Sequence, residues 1–413
     1  MQLGDIAFYV TDKIKSDKLT LEDYVTTDSL LQNKEGRTIA TNLPPQTVTL
    51  THFQPNDILV SNIRPYLKKI WRADCEGGCN ADVLCFRVTK GHSATYLYSL
   101  LLQDSFFAHA MKGKKGVKMP RGDKDQILQF GILPQRYSEE KLIGDTIGTI
   151  DRKIALNRSI HQTLEAMAKQ LYDYWFVQFD FPDKDGRPYK TSGGKMVYND
   201  TLKREIPEGW KVKAIREIVE DLDSGKRPQG GIDKSLKEGI PSLGAECIGE
   251  LGQFDFVKTP FVPFETKINS GIVRSNDILL YKDGAYVGKC TLFRDGFPYE
   301  YATVNEHVFL VRAKEAIYQE YLFLSLKQPQ YFDLMQKLGK AKAAQPGLNQ
   351  TDIYSISLIV PDHETASLFN KKVALLFACL FNKAKENKFL ASYRDFLLPM
   401  LMNGQVSIVS NNE

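Results

Sequence analysis

The sequence predicts an α/β protein of α+β type, in which two similar domains are joined by two long helices forming an antiparallel coiled coil. Three observations predict it. Short segments recur in the same order at a spacing above 200 residues. Each copy alternates brief apolar strands with turn residues and then a helix. Each copy is then followed by a helical pattern much longer than a globular helix requires.

The recurrence is clearest in "PNDILVSNIR", residues 55–64, and "SNDILLYKDG", residues 275–284, where Ile58 matches Ile278. Leu3-Gly4-Asp5-Ile6 sits opposite Ile215-Arg216-Glu217-Ile218 at an offset of 212, and Asn56-Asp57 meets Asn276-Asp277 at 220. "CNADVLCFRV" (79–88) lies on "VNEHVFLVRA" (304–313) at 225, as does "YLYSLLLQDSFF" (96–107) on "YLFLSLKQPQYF" (321–332). "ILPQ" (132–135) meets "IVPD" (359–362) at about 227. A period of roughly 20–50 residues would signal a solenoid; this spacing signals a duplicated domain. The slow upward drift places longer loops in the second copy.

Taken in order, each copy opens on strands such as "DILVS" and "DVLCFRV", which alternate or run apolar between Gly, Pro and Asn turns. Each closes on a helix, "YLYSLLLQDSFFAHAMK" or "EYLFLSLKQPQYFDLMQ". The long helices come next. Positions 143, 147, 150, 154, 157, 161, 164, 168, 171 and 175 step by alternating four and three, and hold Ile, Ile, Ile, Ile, Asn, His, Leu, Ala, Leu and Trp. That is a heptad seam. Its counterpart reads Phe369, Val373, Leu376, Leu380, Lys383, Asn387, Leu390, Arg394, Leu397 and Leu401, with Pro399 predicted to end or kink the helix near Leu398.

Both seams turn polar at mid-length, at Asn157 and His161 in one and Lys383 and Asn387 in the other. Antiparallel pairing brings those polar residues face to face, where they would fix register. The alternative is that each helix packs on its own domain with its polar residues at a solvent edge. Residues 139–175 would span about 55 Å at ~1.5 Å per residue. Domains at opposite ends of such a rod would lie more than one DNA turn, about 34 Å, apart. The domain divisions read from these patterns are 1–136, a central helical region 137–180, 181–361 (opening on a linker, 181–205) and a carboxy-terminal helical region 362–413.

Composition sets the bounds. A hydrophobic content of 43% with 25% charged residues is that of an ordinary globular chain. "VALLFACLF" (373–381) is too short to span a bilayer and is flanked by lysines. The start, "MQLGDIAFYVTDK", lacks the pattern of a secretory signal, so the chain is read as cytoplasmic, with no membrane partner. Six cysteines form no disulfide framework. A net charge of +4 permits a nucleic-acid partner without arguing for one.

Catalytic and metal motifs are sought and not found. "GAYVGKC" (284–290) is one residue short of a phosphate-binding loop, and Cys290 stands where a hydroxyl would hold magnesium, so it reads as a turn before a strand. Pro361-Asp362 with Glu386-Asn387-Lys388 resembles a nuclease string on paper, but the second group lies inside the long helix. Cys75, Cys79 and Cys85 lack the spacing and the second ligand pair of a zinc site. The expectation is a chain with no catalytic residue, no metal and no cofactor of its own.

Positive charge concentrates in two corresponding places. "KGKKGVKMPRGDK" (112–124) sets Lys112, Lys114, Lys115, Lys118 and Arg121 among glycines, and "KLGKAKAAQPGLNQ" (337–350) carries Lys337, Lys340, Lys342, Gln345 and Asn349. Lysines release counterions from phosphates, while Gln, Asn and Arg match base edges. A solvated loop is the bland explanation of either run alone; their equivalence in the repeat favours a shared surface. Further DNA-facing candidates are Arg64, Tyr66, Lys68 and Lys69, then Lys226, Arg227 and Gln229, and Lys282.

The stretch "LYDYWFVQFDFPDKDGRPYKTSGGKMVYNDTLKREIPEGW" (171–210) closely resembles the junction in specificity subunits of type I restriction-modification systems. "IPEGWKVKAIREIVEDLDSGKRP" (206–228) is similar to the opening of their target recognition domains. The resemblance covers nearly the whole chain. It implies two target recognition domains, each reading half of a bipartite double-stranded DNA site, with a helix pair setting the gap. It further implies a non-catalytic chain that positions two methyltransferase (M) subunits and the restriction (R) subunits. S-adenosylmethionine, ATP and magnesium would then belong to those partners, and the helices' outer faces would carry the methyltransferase contacts. Related readings are the recognition subunit of a type II system cleaving on both sides of its site, or a silent scaffold without DNA binding. The first copy lacks a match to Pro207-Glu208-Gly209-Trp210. Either residues upstream of Met1 or the tail "NGQVSI" (403–408) would complete its sheet.

Overall fold

The doubled Asn-Asp-Ile-Leu segment builds the same strand twice. In a computed structural model of the protein, describing residues 1–45, 47–114, 116, 118–226, 235–341 and 347–408, the strands Ile58–Ser61 and Ile278–Tyr281 are each inner strands of a four-stranded antiparallel sheet. The neighbours correspond in register. Ile58 pairs with Phe86 and Arg72, and Ile278 with Val311 and Leu292. Every residue of both strands is buried, because both sheet faces are covered. Ile58 and Val60 face one core cluster and Leu59 another; Ile278 and Leu280 are separated from Leu279 and Tyr281 in the same way.

The polar pair before each strand has its own work. Asn56 (φ +74°) and Asn276 (φ +70°) take the left-handed conformation that Asn tolerates better than most residues. Asp57 and Asp277 accept from the backbone N–H three residues back, at 2.8 and 2.6 Å, closing the turn. Each also forms a two-pronged pair with an arginine, Arg87 within the adjacent strand Val83–Val88 and Arg312 directly after the adjacent strand Val308–Val311. Arg87 Nε and Nη2 reach Asp57 at 2.8 and 2.7 Å, and Arg312 Nε and Nη2 reach Asp277 at 2.6 and 2.8 Å.

The chain divides into two compact units, residues 1–155 with 388–413, and residues 156–387. In the first, a second sheet of strands Lys13–Lys15, Thr49–Phe53, Gly77–Cys79 and Tyr24–Val25 covers one face of the main sheet, and helices Ala94–Leu101 and Asp104–Lys112 cover the other. In the second unit, helices Gln319–Leu326 and Pro329–Lys340 follow the main sheet. Strand Lys211–Ala214 pairs antiparallel with Ser357–Val360. The corresponding place in the first unit holds a single bridge, Gln2 to Gly131. The tail does not fill it: residues 403–408 form turns and irregular chain, with Ile408 packed on the core.

Two long helices run Tyr137–Tyr172, extended by a π-helical turn Asp173–Val177, and His363–Met402. They pair antiparallel. Within the second unit, Trp175 and Tyr172 meet Phe369, with ring centroids 5.6 and 6.3 Å apart, while Asn157 Nδ2 donates to Asn387 Oδ1 and Glu386 Oε2, both at 2.9 Å. Within the first, Arg394 Nη1 bonds Asp151 Oδ1 at 2.8 Å, and Ile143 and Ile147 share a core with Leu398 and Leu401.

The heptad reading of the second helix is corrected in detail. Phe377, Phe381 and Leu398 are buried, whereas Leu376 and Leu397 are only partly so. The helix packs against its own unit as well as its partner helix, Phe377 against Phe323 and Phe381 against Phe297. A strict seam is too narrow for that double duty. Pro399 does not end the helix at Leu398. It lies within the last turn, where one lost N–H costs little continuity, and Asn403 N–H bonds its carbonyl at 3.0 Å.

His161 turns away from the other polar residues, toward the backbone of Leu251 and Gly252. A Cβ on Gly252 (φ +69°) would stand 2.8 Å from His161 Nε2, so glycine permits this approach. Burial lowers the basicity of the ring below its ordinary 6.5, the Lys327 charge acting in the same direction and Glu165 and the Leu251 carbonyl opposing. A depressed folded value means stability present above the unfolded pKa and lost as pH falls through the folded one. Thermal melts between pH 7 and 5 are therefore expected to fall more steeply for the wild-type chain than for His161→Gln. Parallel slopes would contradict this.

Candidate nucleic-acid interface

The fold brings the separate basic segments of each unit together. In the first, Ile63 bridges to Arg121, Arg64 N–H donates to the Pro120 carbonyl at 2.8 Å, and Asn62 Nδ2 donates to the Gly122 carbonyl at 3.3 Å. Residues 64–69 therefore lie against the loop that follows helix Asp104–Lys112. In the second, Leu348 N–H donates to the Lys282 carbonyl at 2.7 Å and Asp283 bridges to Gly347, so residues 282–289 meet the loop after Pro329–Lys340.

Not every predicted cation is free to meet a ligand. Lys112, Lys114 and Lys118 are exposed. Lys68 is paired with Asp104 at 2.8 Å, and Arg121 with Asp82 at 2.9 and 3.3 Å. Lys69 donates to the Thr27 carbonyl, and burial lowers its basicity against the pull of Asp28. In the second unit Lys226, Lys337 and Lys340 are exposed. Lys282 Nζ sits 4.6 Å from the Phe309 ring centroid and 3.4 Å from Ser224 Oγ. Asn349 caps helix Gln350–Tyr354, its Oδ1 accepting from Asp352 N–H at 2.8 Å. Lys115, Arg227, Gln229, Lys342 and Gln345 lie outside the described residues.

Tyr286 joins the candidates on structural grounds. Residues 284–290 form a turn before a strand, as the sequence predicts, and the 3-10 turn Gly284–Tyr286 stands at the place of Pro65–Leu67. Tyr66 and Tyr286, 220 residues apart, stand 51% and 45% exposed at the tips of these turns. Lys289 Nζ lies 5.2 Å from the Tyr286 ring centroid. The signal was present: continuing the offset of 220 past Ile58 and Ile278 aligns the two tyrosines. An exposed aromatic among lysines suits stacking and phosphate contacts together.

The chemistry tested for catalysis is otherwise engaged. Asp362 caps the second long helix through Thr365 N–H at 2.9 Å and accepts from Trp210 Nε1 at 3.0 Å. Glu386 is held by Asn157 and Lys383. Burial pushes the Cys79 thiol up to about 12, and raises Cys75 and Cys85, which disfavours the thiolates that zinc needs. Among the described residues, no three His, Cys, Asp or Glu side chains gather as a metal site, and no helix is long and apolar enough to cross a membrane.

Each of the two units carries an exposed tyrosine on a short 3-10 turn beside a lysine-bearing loop, so the two copies repeat one surface as well as one sheet. Residues 207–389 match the family of type I restriction modification DNA specificity domains. The type I restriction enzyme HindI specificity subunit of Haemophilus influenzae is 23% identical over 98% of both chains. The MjaIX specificity subunit of Methanocaldococcus jannaschii is 23% identical, over 77% of this chain and 70% of its own. Among solved structures, the S subunit of a type I restriction-modification system from M. genitalium shares the fold at a TM-score of 0.57. It is 15% identical, over 97% of this chain and 95% of its own. The chain is thus similar to specificity subunits of type I restriction-modification systems, in residues 207–389 by the family's domain and along nearly its whole length by the HindI subunit.

Proposed function

We propose that this chain recognises a bipartite double-stranded DNA sequence, one half through each unit, and is not itself catalytic. It positions two methyltransferase subunits and the restriction subunits, which would bring S-adenosylmethionine, ATP and magnesium for adenine methylation or cleavage in the cytoplasm. The observation that carries this reading is the duplication at the level of the surface: corresponding turns, with corresponding tyrosines, beside corresponding lysine-bearing loops. Exposed Lys112, Lys114, Lys118, Lys226, Lys337 and Lys340 suit phosphates, whose neutralisation supplies affinity without sequence preference. In this reading the domains follow the divisions 1–136 and 181–361, and the helix pair sets the number of base pairs between the halves.

The test is an exchange. Residues 206–360 are replaced by the same segment of a relative with a different target, and the methylated motif is read in a host that also makes the methyltransferase. One half of the motif is expected to change and the other to persist. Change in both halves, or in neither, contradicts independent reading by two units.

A further inference from the structure

The turn that carries Tyr66 is built differently from its counterpart. Arg64 holds φ +50° and Lys68 φ +52°, both left-handed. At the aligned positions the second unit has Gly284 (φ +71°) and Gly288 (φ +82°), the residue for which that conformation carries no steric penalty. The first unit thus keeps two long side chains where its duplicate shows that glycine serves the turn. Strain retained against an available glycine points to work done by the side chain.

The turn is also braced from below. Asn33 N–H donates to the Leu67 carbonyl at 2.9 Å and Lys34 N–H to the Lys68 carbonyl at 2.8 Å, from two residues that are themselves left-handed (φ +56° and +63°). The Lys34 side chain, 3% exposed, then bonds Asp104 at 2.8 Å and Asp395 at 3.1 Å, tying the brace to helices Asp104–Lys112 and His363–Met402. Lys68 is held by the same Asp104. Of the turn's cations, Lys68 and Lys69 have partners, as does neighbouring Arg121. Arg64 differs: its Nε is buried with no hydrogen-bond partner, on a backbone fixed to the Pro120 carbonyl.

We propose that Arg64 is a base-reading residue of the first unit, the two terminal nitrogens of its guanidinium pairing with the O6 and N7 acceptors of a guanine while its buried Nε stays within the braced turn. The proposal rests on the DNA-reading function above and assigns a role within it. An arginine fork offers two parallel donors in a fixed plane that match guanine's major-groove edge, whereas a lysine ammonium reaches the same acceptors without that fixed geometry. Exposed Lys112, Lys114 and Lys118 carry no comparable bracing and suit phosphates.

The test compares methylated motifs of the wild-type chain, Arg64→Lys and Arg64→Gly, each made with its methyltransferase, alongside thermal melts. Arg64→Gly removes the backbone strain and is expected to melt no lower than wild type, so a changed motif cannot be put down to misfolding. Arg64→Gly is expected to lose preference for one guanine in one half-site, by about tenfold or more, and Arg64→Lys to lose less, while the other half stays intact. A wild-type motif for Arg64→Gly, or a uniform loss of methylation in that variant with base preferences unchanged, overturns the assignment. A wild-type chain without any bipartite motif overturns the functional reading itself, and the assignment with it.

Discussion

Inserting one heptad into each long helix at the Asn157–Asn387 layer is expected to abolish methylation at the native spacing. The half-sites themselves should remain unchanged. Seven residues lengthen a helix by about 10 Å at ~1.5 Å per residue, close to three base pairs of duplex. They restore the helix face to within about 20°, so the seam can re-form. The inserted layer leaves both sets of local contacts in place: Asp151 with Arg394 on one side, Phe369 with Trp175 on the other. Three base pairs also turn the duplex by roughly a quarter turn or more, given about 10 pairs per turn. Residual methylation should therefore be low, and any motif recovered should carry about three extra spacer pairs. Recovery of the native spacing would show that the helix pair does not set it.

Replacing Arg312 with leucine is expected to destabilise the second unit by about 3–5 kcal/mol, the range for stripping one partner from a buried ion pair. Asp277 is 1% exposed, and burial already raises its carboxyl above its ordinary value against the pull of Arg312 and Arg274. Without Arg312 that carboxylate keeps the Arg274 N–H bond but loses both guanidinium contacts. Removing both partners, Asp277→Leu with Arg312→Leu, should cost much less than the sum of the singles, because no orphaned charge remains. Urea unfolding of the four chains gives the coupling directly. Additive losses would mean that the pair is not the unit of stability. Arg87→Leu should behave alike in the first unit, since Arg87 and Asp57 repeat the same geometry.

The sequence was informative wherever the cause is local. Asn-Asp before Ile-Leu marks a turn entering a two-faced strand, and its recurrence at 220 exposes the duplication because those steps are needed in each copy. The long helices are legible for the same reason, since a seam imposes its period on successive residues. What failed depends on distant neighbours. Phe377 and Leu398 could not be separated from Leu376 and Leu397 without knowing that the helix faces its own unit too. Lys68 and Arg121 looked free because their acids, Asp104 and Asp82, lie 36 and 39 residues away in the chain. Backbone strain is equally silent in composition. Arg64 became distinctive only when its φ was set beside that of Gly284.

The central claim is that one chain reads DNA with two units. Its most direct test is to make the unaltered protein with its methyltransferase in a host free of DNA methylation, and to sequence modified bases across the genome. A single bipartite motif with a fixed spacer and methylated adenine on both strands is the expected result. No methylated motif, with both proteins present and folded, or a motif lacking a second half, would contradict it.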